Sequence, residues 1–280
     1  MNYSVFLSTT DYFKDVWDPF FILFSKYWPD YKGKIYMSTE YLDYSYEGLE
    51  IVPLKVSEKN KAPKDKQAPW GQRMKWALEQ VPVNIVLFLE EDFLLKNTVK
   101  TNIIDNLAEI LLNDKEAKCI YLTDKGAKGT VKSKYDKLCL VNDDIFTVNC
   151  QAALWKREEL LKLLDANESI WEYEIFGSKR AKAYGDIFYT VDHNWVKYNE
   201  FELIPYLYTG VFRGKWNPDV VPLFETNGIN MDYNLRGVND TTEDLLKPNR
   251  RLKDVIVRIP KYIKTYYEVY RIKKTRKLRS

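Results

Sequence analysis

The chain has 280 residues, 45% hydrophobic and 30% charged, with a net charge of +3 and one histidine. That length suits one large α/β domain, or one domain with a tail, and it can bury a substantial core. Eleven glycines and eleven prolines exclude a collagen-like or Gly/Pro-rich disordered chain, and one His with three Cys excludes a zinc centre of several imidazoles or paired thiols, so a metal would fall to carboxylates.

Cys119, Cys139 and Cys150 lack a CxxC spacing and read as buried small hydrophobes in a reducing compartment. The first eleven residues lack the basic start and apolar run of a signal peptide. The apolar runs Phe20–Phe24 and Ile85–Leu89 fall far short of the ~20 residues that cross a bilayer, so a cytoplasmic location is expected. Charge is unevenly placed. Arg250 to Ser280 holds twelve Lys/Arg against Asp254 and Glu268, a local +10 that leaves −7 on the first 249 residues. An acidic body, 1–249, thus precedes a basic tail, 250–280.

In chain order, residues 3–9 read as a buried strand ending in Thr9-Thr10-Asp11. Asp18-Pro19 before Phe20–Phe24 predicts a helix start, with Asp18 as cap and Pro19 in the first turn. Lys34–Ser38 and, more weakly, Ile51–Leu54 are strands, and the Lys/Pro-rich 57–69 a loop. Met74, Ala77 and Leu78 give Trp70–Gln80 a helical period. Val83–Leu89 is a near-continuous apolar strand of the kind found at the centre of a parallel sheet, and it runs straight into Glu90-Glu91-Asp92. A helix at 99–113 and a strand at Ala117–Leu122 complete a strand-helix rhythm that implies parallel strands covered on both faces. After residue 145, Phe146–Asn149 reads as a strand and Lys156–Leu164 as a helix, while 166–216 is rich in aromatics and carboxylates without a clean period.

In open α/β sheets, ligands bind at the carboxyl ends of strands. Glu90, Glu91 and Asp92 stand at that end of the most apolar strand, where clustered anions need a cation or hydrogen-bond donors to compensate them. A divalent ion carrying a diphosphate is one compensation, and hard oxygen ligands suit Mg or Mn. A solvated acidic turn that caps the following helix is the plain alternative.

The runs Trp70-Gly71-Gln72-Arg73-Met74-Lys75-Trp76-Ala77-Leu78 and Ile85–Phe93, with Gln151–Arg157, Trp171-Glu172-Tyr173-Glu174 and Gly177-Ser178, resemble bacterial glycosyltransferases of the GT-A fold, in particular small enzymes of capsule and lipopolysaccharide loci. The resemblance spans roughly residues 3–216 in layout. It implies a Rossmann-related mixed sheet with helices on both faces, and a nucleotide-sugar donor (UDP, GDP or CMP type) bound across the first strands. It also implies an Asp-x-Asp-type motif for metal and diphosphate. The matching positions here are Glu90 and Asp92 with Glu91 between them; the first is Glu where the family pattern has Asp. Thr9, Thr10 and Asp11 match the nucleoside-binding positions, with hydroxyls and a carboxylate suited to base N–H and ribose hydroxyls, or else they form an Asx-type turn.

Arg73, on the helix leading to the acidic strand, could pair with diphosphate or with the acidic run, or be a surface arginine. Inverting transfer needs a carboxylate to take the acceptor hydroxyl proton, and the leaving diphosphate needs charge stabilisation. The resemblance points to Glu174, then Glu172, as that base, with Trp171 and Tyr173 as sugar-stacking faces; an amphipathic helix with two solvated glutamates is the alternative. Asp186 and Asp192 are weaker candidates, and His193 reads as structural. Gly210–Trp216 lacks the Walker spacing, although Lys215 is a candidate for donor phosphate.

In the tail, Val255, Val257 and Ile259 recur at period two and predict a strand that Pro260 ends. Beyond it, Tyr262 to Ile272 fit a basic amphipathic helix, of the kind that binds anionic membrane surfaces. These readings together predict a cytoplasmic enzyme on the inner face of the membrane, acting on a glycan or lipid-linked oligosaccharide acceptor, with no nucleic-acid partner. The rival reading is a non-catalytic carbohydrate- or nucleic-acid-binding protein. A nucleotidyltransferase is disfavoured because no Gly-rich phosphate loop follows the first strand.

Overall fold

The computed structural model describes residues 1–142, 146–240 and 252–278, with only the backbone for 252–258. Along the chain run β1 (Ser4–Ser8), α1 (Lys14–Tyr27), β2 (Lys34–Met37), β3 (Glu50–Pro53), α2 (Val56–Lys59), α3 (Trp70–Gln80) and β4 (Ile85–Glu90). Then come α4 (Thr101–Asn113), β5 (Ala117–Tyr121), β6 (Gly129–Lys132), β7 (Leu138–Val141), β8 (Ala153–Lys156), α5 (Arg157–Leu163) and α6 (Ile170–Tyr184). β9 (Ile187–Val191), the short pair β10 (Val211–Phe212) and β11 (Lys215–Trp216), α7 (Val220–Thr226) and α8 (Leu252–Lys277) follow.

Among the described residues, nine strands form one mixed sheet in the order β3-β2-β1-β4-β8-β5-β9-β7-β6. β3, β2, β1 and β4 run parallel to one another, and β5 is parallel to β9. The parallel rhythm read from the sequence therefore holds for these pairs, but β8 inserts between β4 and β5 and runs against both. Its four residues carry no pattern that distinguishes direction. The chain moves outward from β1 to β2 and β3, then returns to place β4 on the other side of β1. A topological switch point thus opens between the carboxyl ends of β1 and β4.

Period-two alternation along β4 divides the core. Ile85, Leu87 and Leu89 join Val5, Leu7, Trp17, Phe20, Phe24, Ile104 and Leu107 on the α1/α4 side. Val86 and Phe88 join Phe6, Met74, Leu78, Trp155, Leu160 and Tyr173 on the side of α3, α5 and α6. Both faces of the strand are covered, which is why it reads as continuously apolar.

Several boundaries differ from the sequence expectation. α1 begins at Lys14, so Pro19 lies inside it, and exposed Asp18 accepts from Tyr44 Oη at 2.7 Å instead of capping the helix. A short turn of 3₁₀ helix at Asp11–Phe13 leads in and moves the start upstream. Phe146–Asn149 is not a strand; its main chain is held by side chains, Val148 N–H donating to Ser178 Oγ at 2.9 Å and Asn149 N–H to Tyr121 Oη at 3.1 Å. The aperiodic 166–216 contains the fifteen-residue α6, begun by a Ser169/Glu172 capping box and ended by Gly185 at φ +68°. The period-two stretch at 255–259 is helical, within α8, and Pro260 lies inside that helix. Packing of α8 onto α6 offsets the proline's helix penalty of ~3 kcal/mol. The proposed boundary at 249/250 lies outside the described residues. The three cysteines are buried and unpaired.

Gly71 in α3 shows how closely the layers meet. Its N–H donates to Glu168 O at 2.9 Å, and a Cβ there would sit 2.0 Å from the Asp165 carbonyl oxygen. Gly71→Ala should destabilise the chain by about 1–3 kcal/mol, read as a lower thermal midpoint, while Glu79→Ala on the exposed side of α3 should stay within about 0.5 kcal/mol.

Candidate active site

The acidic run is built by the end of β4. Register pairs Ser8 with Glu90, and Glu91 N–H donates to Ser8 O at 3.2 Å, so the run lies directly beside the end of β1. The alternation that puts Val86 and Phe88 on the α3/α6 side carries Glu90 to that side as well. Because β8 is antiparallel, pairing Ala153 with Phe88, the segment entering it at 149–152 also lies over this end of β4. There Cys150 N–H donates to Glu174 Oε1 at 3.0 Å, which brings α6 to the same place. The Glu174 charge is felt at Glu90, and both act on the Cys150 thiol.

Burial, then Glu91 and Asp92, pushes Glu90 well above the usual carboxylate range, and Glu174 adds to the rise. Its Oε1 is buried without a partner. Glu91 is pushed up to about 8 by burial and by Asp92, against the pull of Arg73 and Arg236. Burial raises Asp92 too, although hydrogen bonds from Thr209 Oγ1 at 2.6 Å and Val211 N–H at 3.2 Å hold it down. Glu174 is raised by burial, partly offset by the Cys150 N–H, and remains half-buried.

A cover comes from far along the chain. Residues 206–210 run antiparallel to 92–95, with Leu207 N–H on Leu94 O at 3.0 Å, Gly210 N–H on Asp92 O at 2.9 Å, and Tyr206 stacked on Phe93 at 4.4 Å. Thr209 takes φ +69°, a strained value for a β-branched residue, while bonded to Asp92. Tyr208, 42% exposed, feels the Glu174 charge and offers an open ring beside it. Arg236 lies on the β1 side. Its Nε and Nη2 hold Asp15 at 2.6 and 2.5 Å, its guanidinium is 4.5 Å from the Phe13 ring, and its buried Nη1 has no partner. Neither Tyr208 nor Arg236 was singled out from the sequence; each is one residue in an aperiodic stretch.

The remaining sequence candidates take these positions. Arg73 is buried near Glu40 at 3.9 Å, with Nε donating to Ala68 O at 3.0 Å, and burial lowers it against the pull of Glu40, Glu91, Glu90 and Asp11. Thr9 Oγ1 accepts from Trp17 Nε1 at 2.9 Å, so it fastens α1. Asp11 accepts from the N–H groups of Glu40, Tyr41 and Leu42 at 2.9, 2.9 and 3.2 Å and ties down the loop after β2. Thr10 Oγ1 is buried without a partner. Glu172 closes the capping box and accepts from Lys261 at 2.7 Å; although burial works the other way, Lys261 and Ser169 hold it below the usual range. Tyr173 is 1% exposed, packed on Trp70 at 5.2 Å, and has no open face for a sugar, whereas Trp171 is exposed on the first turn of α6.

Lys215 is exposed on β11. The Gly210–Trp216 stretch is a hairpin turning at Arg213 (φ +51°) and Gly214 (φ +81°), not a phosphate loop. His193 Nε2 lies 3.3 Å from Thr190 Oγ1. Asp186 pairs with Lys162 at 3.0 Å, and Asp192 accepts from Asn194 N–H at 2.8 Å.

Among the described residues no three His, Cys, Asp or Glu side chains are disposed to hold a metal. Of the two expected ligands, Asp92 is taken up by Thr209 and Val211, while Glu90 keeps one unpartnered oxygen that could ligate a cation.

No protein-family model matches the chain, and no curated protein matches it. Among solved structures, S. aureus TarS 1–349 is similar at a TM-score of 0.43 and 15% identity, over 69% of this chain and 58% of that one. The same fragment in complex with UDP-GlcNAc gives 0.41 and 13%, over 69% and 56%. Glucosyl-3-phosphoglycerate synthase from Mycobacterium tuberculosis, in complex with phosphoglyceric acid, gives 0.38 and 12%, over 64% and 65%. The chain spans less than two thirds of each.

The raised Glu91 has a measurable consequence. A carboxyl lifted to about 8 in the folded state contributes stability that is complete below its unfolded value and is lost as pH climbs through 8. Glu91→Gln removes that loss. Its thermal midpoint should gain on the wild type as pH rises from 5 to 9, and an unchanged difference between the two across that range would contradict the assignment.

Proposed function

We propose that this chain transfers a sugar from a nucleotide-sugar donor to a glycan acceptor. The observation that carries the reading is that Cys150 N–H, just before β8, holds Glu174 over the end of β4 that bears Glu90, at the β1/β4 switch point and under a cover bearing an exposed tyrosine. In this reading the donor diphosphate enters the crevice with its charge countered by Arg73 and by the unpartnered Nη1 of Arg236. Thr10 supplies a hydroxyl for the nucleoside. A divalent cation held by Glu90 would, when bound, supply further neutralisation of the diphosphate.

Glu174 acts as general base. Burial raises its basicity, and the Cys150 N–H fixes its carboxylate. The acceptor ring lies on Tyr208, and its hydroxyl loses a proton to Glu174 as oxygen attacks the anomeric carbon and the bond to diphosphate breaks. Configuration inverts. Glu172, engaged with Ser169 and Lys261, serves the helix and not the proton transfer. A lipid-linked glycan of a bacterial surface polysaccharide, of the capsule or lipopolysaccharide kind, is the acceptor class we infer from the motif resemblance in 70–93 and 151–178.

Screening UDP-, GDP- and CMP-sugars by mass spectrometry with an oligosaccharide acceptor should show transfer from one donor class. Glu174→Gln should lower the rate by about 10²–10⁴ while nucleotide binding by calorimetry persists. The acid limb of kcat/KM should lie above the ordinary glutamate range, the rate rising with pH as Glu174 loses its proton. Arg236→Met should weaken nucleotide binding by about tenfold or more. Calorimetry that finds no nucleotide bound, with or without Mn, but finds polymer bound would favour a non-catalytic binding protein instead.

A further inference from the structure

α8 has two unlike faces. One is fastened to the body: Lys261 to Glu172 at 2.7 Å, Lys264 to Asp165, Glu268 to Arg180 at 3.7 Å, Tyr262 edge-on to Phe176 at 4.9 Å, with Thr265 buried between them. The other carries Ile259, Ile263, Tyr266, Tyr267 and Tyr270, each 50–66% exposed, with Tyr266 at its edge, where Lys179 of α6 lies 4.7 Å from its ring. Their spacing of i, i+4, i+7, i+8 and i+11 makes a single stripe along one side of the helix. An amphipathic helix in a globular body ordinarily turns its apolar stripe inward. Here ion pairs hold the polar side in, and the apolar stripe points away.

The next turns continue that side with exposed Lys273 and Lys274. From Ile259 to Leu278 the one acidic residue is Glu268, and it faces the body through Arg180. Isoleucines to enter the acyl boundary, tyrosines for headgroup level and lysines for anionic phosphate are the composition of a helix lying in a membrane interface. No helix among the described residues is long and apolar enough to cross a bilayer.

We propose that the outward face of α8 seats the protein on an anionic lipid surface, the helix lying flat. This deepens the proposed function and rests on it for one consequence. α8 packs on α6, the helix that bears Glu174, so the seated surface and the base share one support, as a lipid-carried acceptor requires.

The test is co-sedimentation of the full chain with phosphatidylcholine vesicles, with and without phosphatidylglycerol. Binding should require phosphatidylglycerol and weaken with salt. The triple variant Ile263→Asp, Tyr267→Asp, Tyr270→Asp should abolish it, and Lys273→Glu with Lys274→Glu should weaken it about tenfold or more. Unchanged circular dichroism would show that the exposed substitutions leave the fold intact. Vesicle binding by the triple variant equal to wild type overturns the proposal. So does a wild-type dimer in sedimentation equilibrium that the triple variant breaks while vesicles bind neither, which would give the face to a second copy. Retention of single-stranded RNA in place of vesicles overturns it as well. The readout needs no turnover, so vesicle binding without nucleotide binding would sink the transferase reading alone, and nucleotide binding without vesicle binding would sink this one alone.

Discussion

Three consecutive carboxylates leave a strand that is covered on both faces and enter a space that water reaches poorly. Their mutual repulsion is the constraint around which this end of the molecule is arranged. The fold answers them singly. Asp92 receives the Thr209 hydroxyl and the Val211 N–H, which draws residues 206–211 over the end of β4 and holds Thr209 in a left-handed conformation it would not otherwise adopt. Glu91 sits within the field of two buried guanidiniums, one from α3 and one from residue 236. Glu90 keeps a buried oxygen without a partner. Compensation is therefore partial for each acid, and the one left with an unpartnered oxygen is the one on the side of α6.

What the sequence made legible follows from how much of each signal was local. The helix at 70–80 and the strand at 85–90 were readable because burial of one helical stripe, or of both strand faces, writes itself into consecutive residues. The acidic run and its place at a strand end were readable for the same reason. The antiparallel entry of β8 was not, since Ala-Leu-Trp-Lys pairs equally well in either direction until its neighbours are known. Arg236 reaches the site through Asp15, and Tyr208 is carried there by the bond of its neighbour Thr209 to Asp92, each partner over a hundred positions away, and no local period marks them. The hairpin at 211–216 did have a signal, a two-residue X-Gly turn between apolar residues, although the stretch reads only as lacking the Walker spacing.

Glu172 and Glu174 show where spacing alone divides two roles. Residues two apart on a helix point about 200° from one another. If one faces the end of β4, the other must face away, and it does: Glu172 turns to the N-cap and to Lys261 of α8. α6 thus joins the acidic crevice on one side to the C-terminal helix on the other. It is stiffened for that position by the capping box, by Gly185 at its end, where a Cβ would run into the Arg276 guanidinium, and by the buried Arg180–Glu168 pair, Nη1 to Oε1 at 2.7 Å.

The position of Glu174 itself is set twice within one turn. Cys150 N–H donates to its carboxylate, and Val148 N–H donates to Ser178 Oγ, whose hydroxyl in turn reaches the Glu174 carbonyl at 2.6 Å. The segment 148–150 is therefore sewn to α6 at two points before it enters β8, and β8 is in register with β4. A rotation of α6 that moved the carboxylate would have to break both main-chain donors at 148 and 150, in a place where neither has water to turn to. The arrangement suits a group that must meet a reacting hydroxyl at a fixed distance. A half-buried glutamate here carries an electrostatic cost that an apolar residue would not, and the proposed base role gives that cost a use.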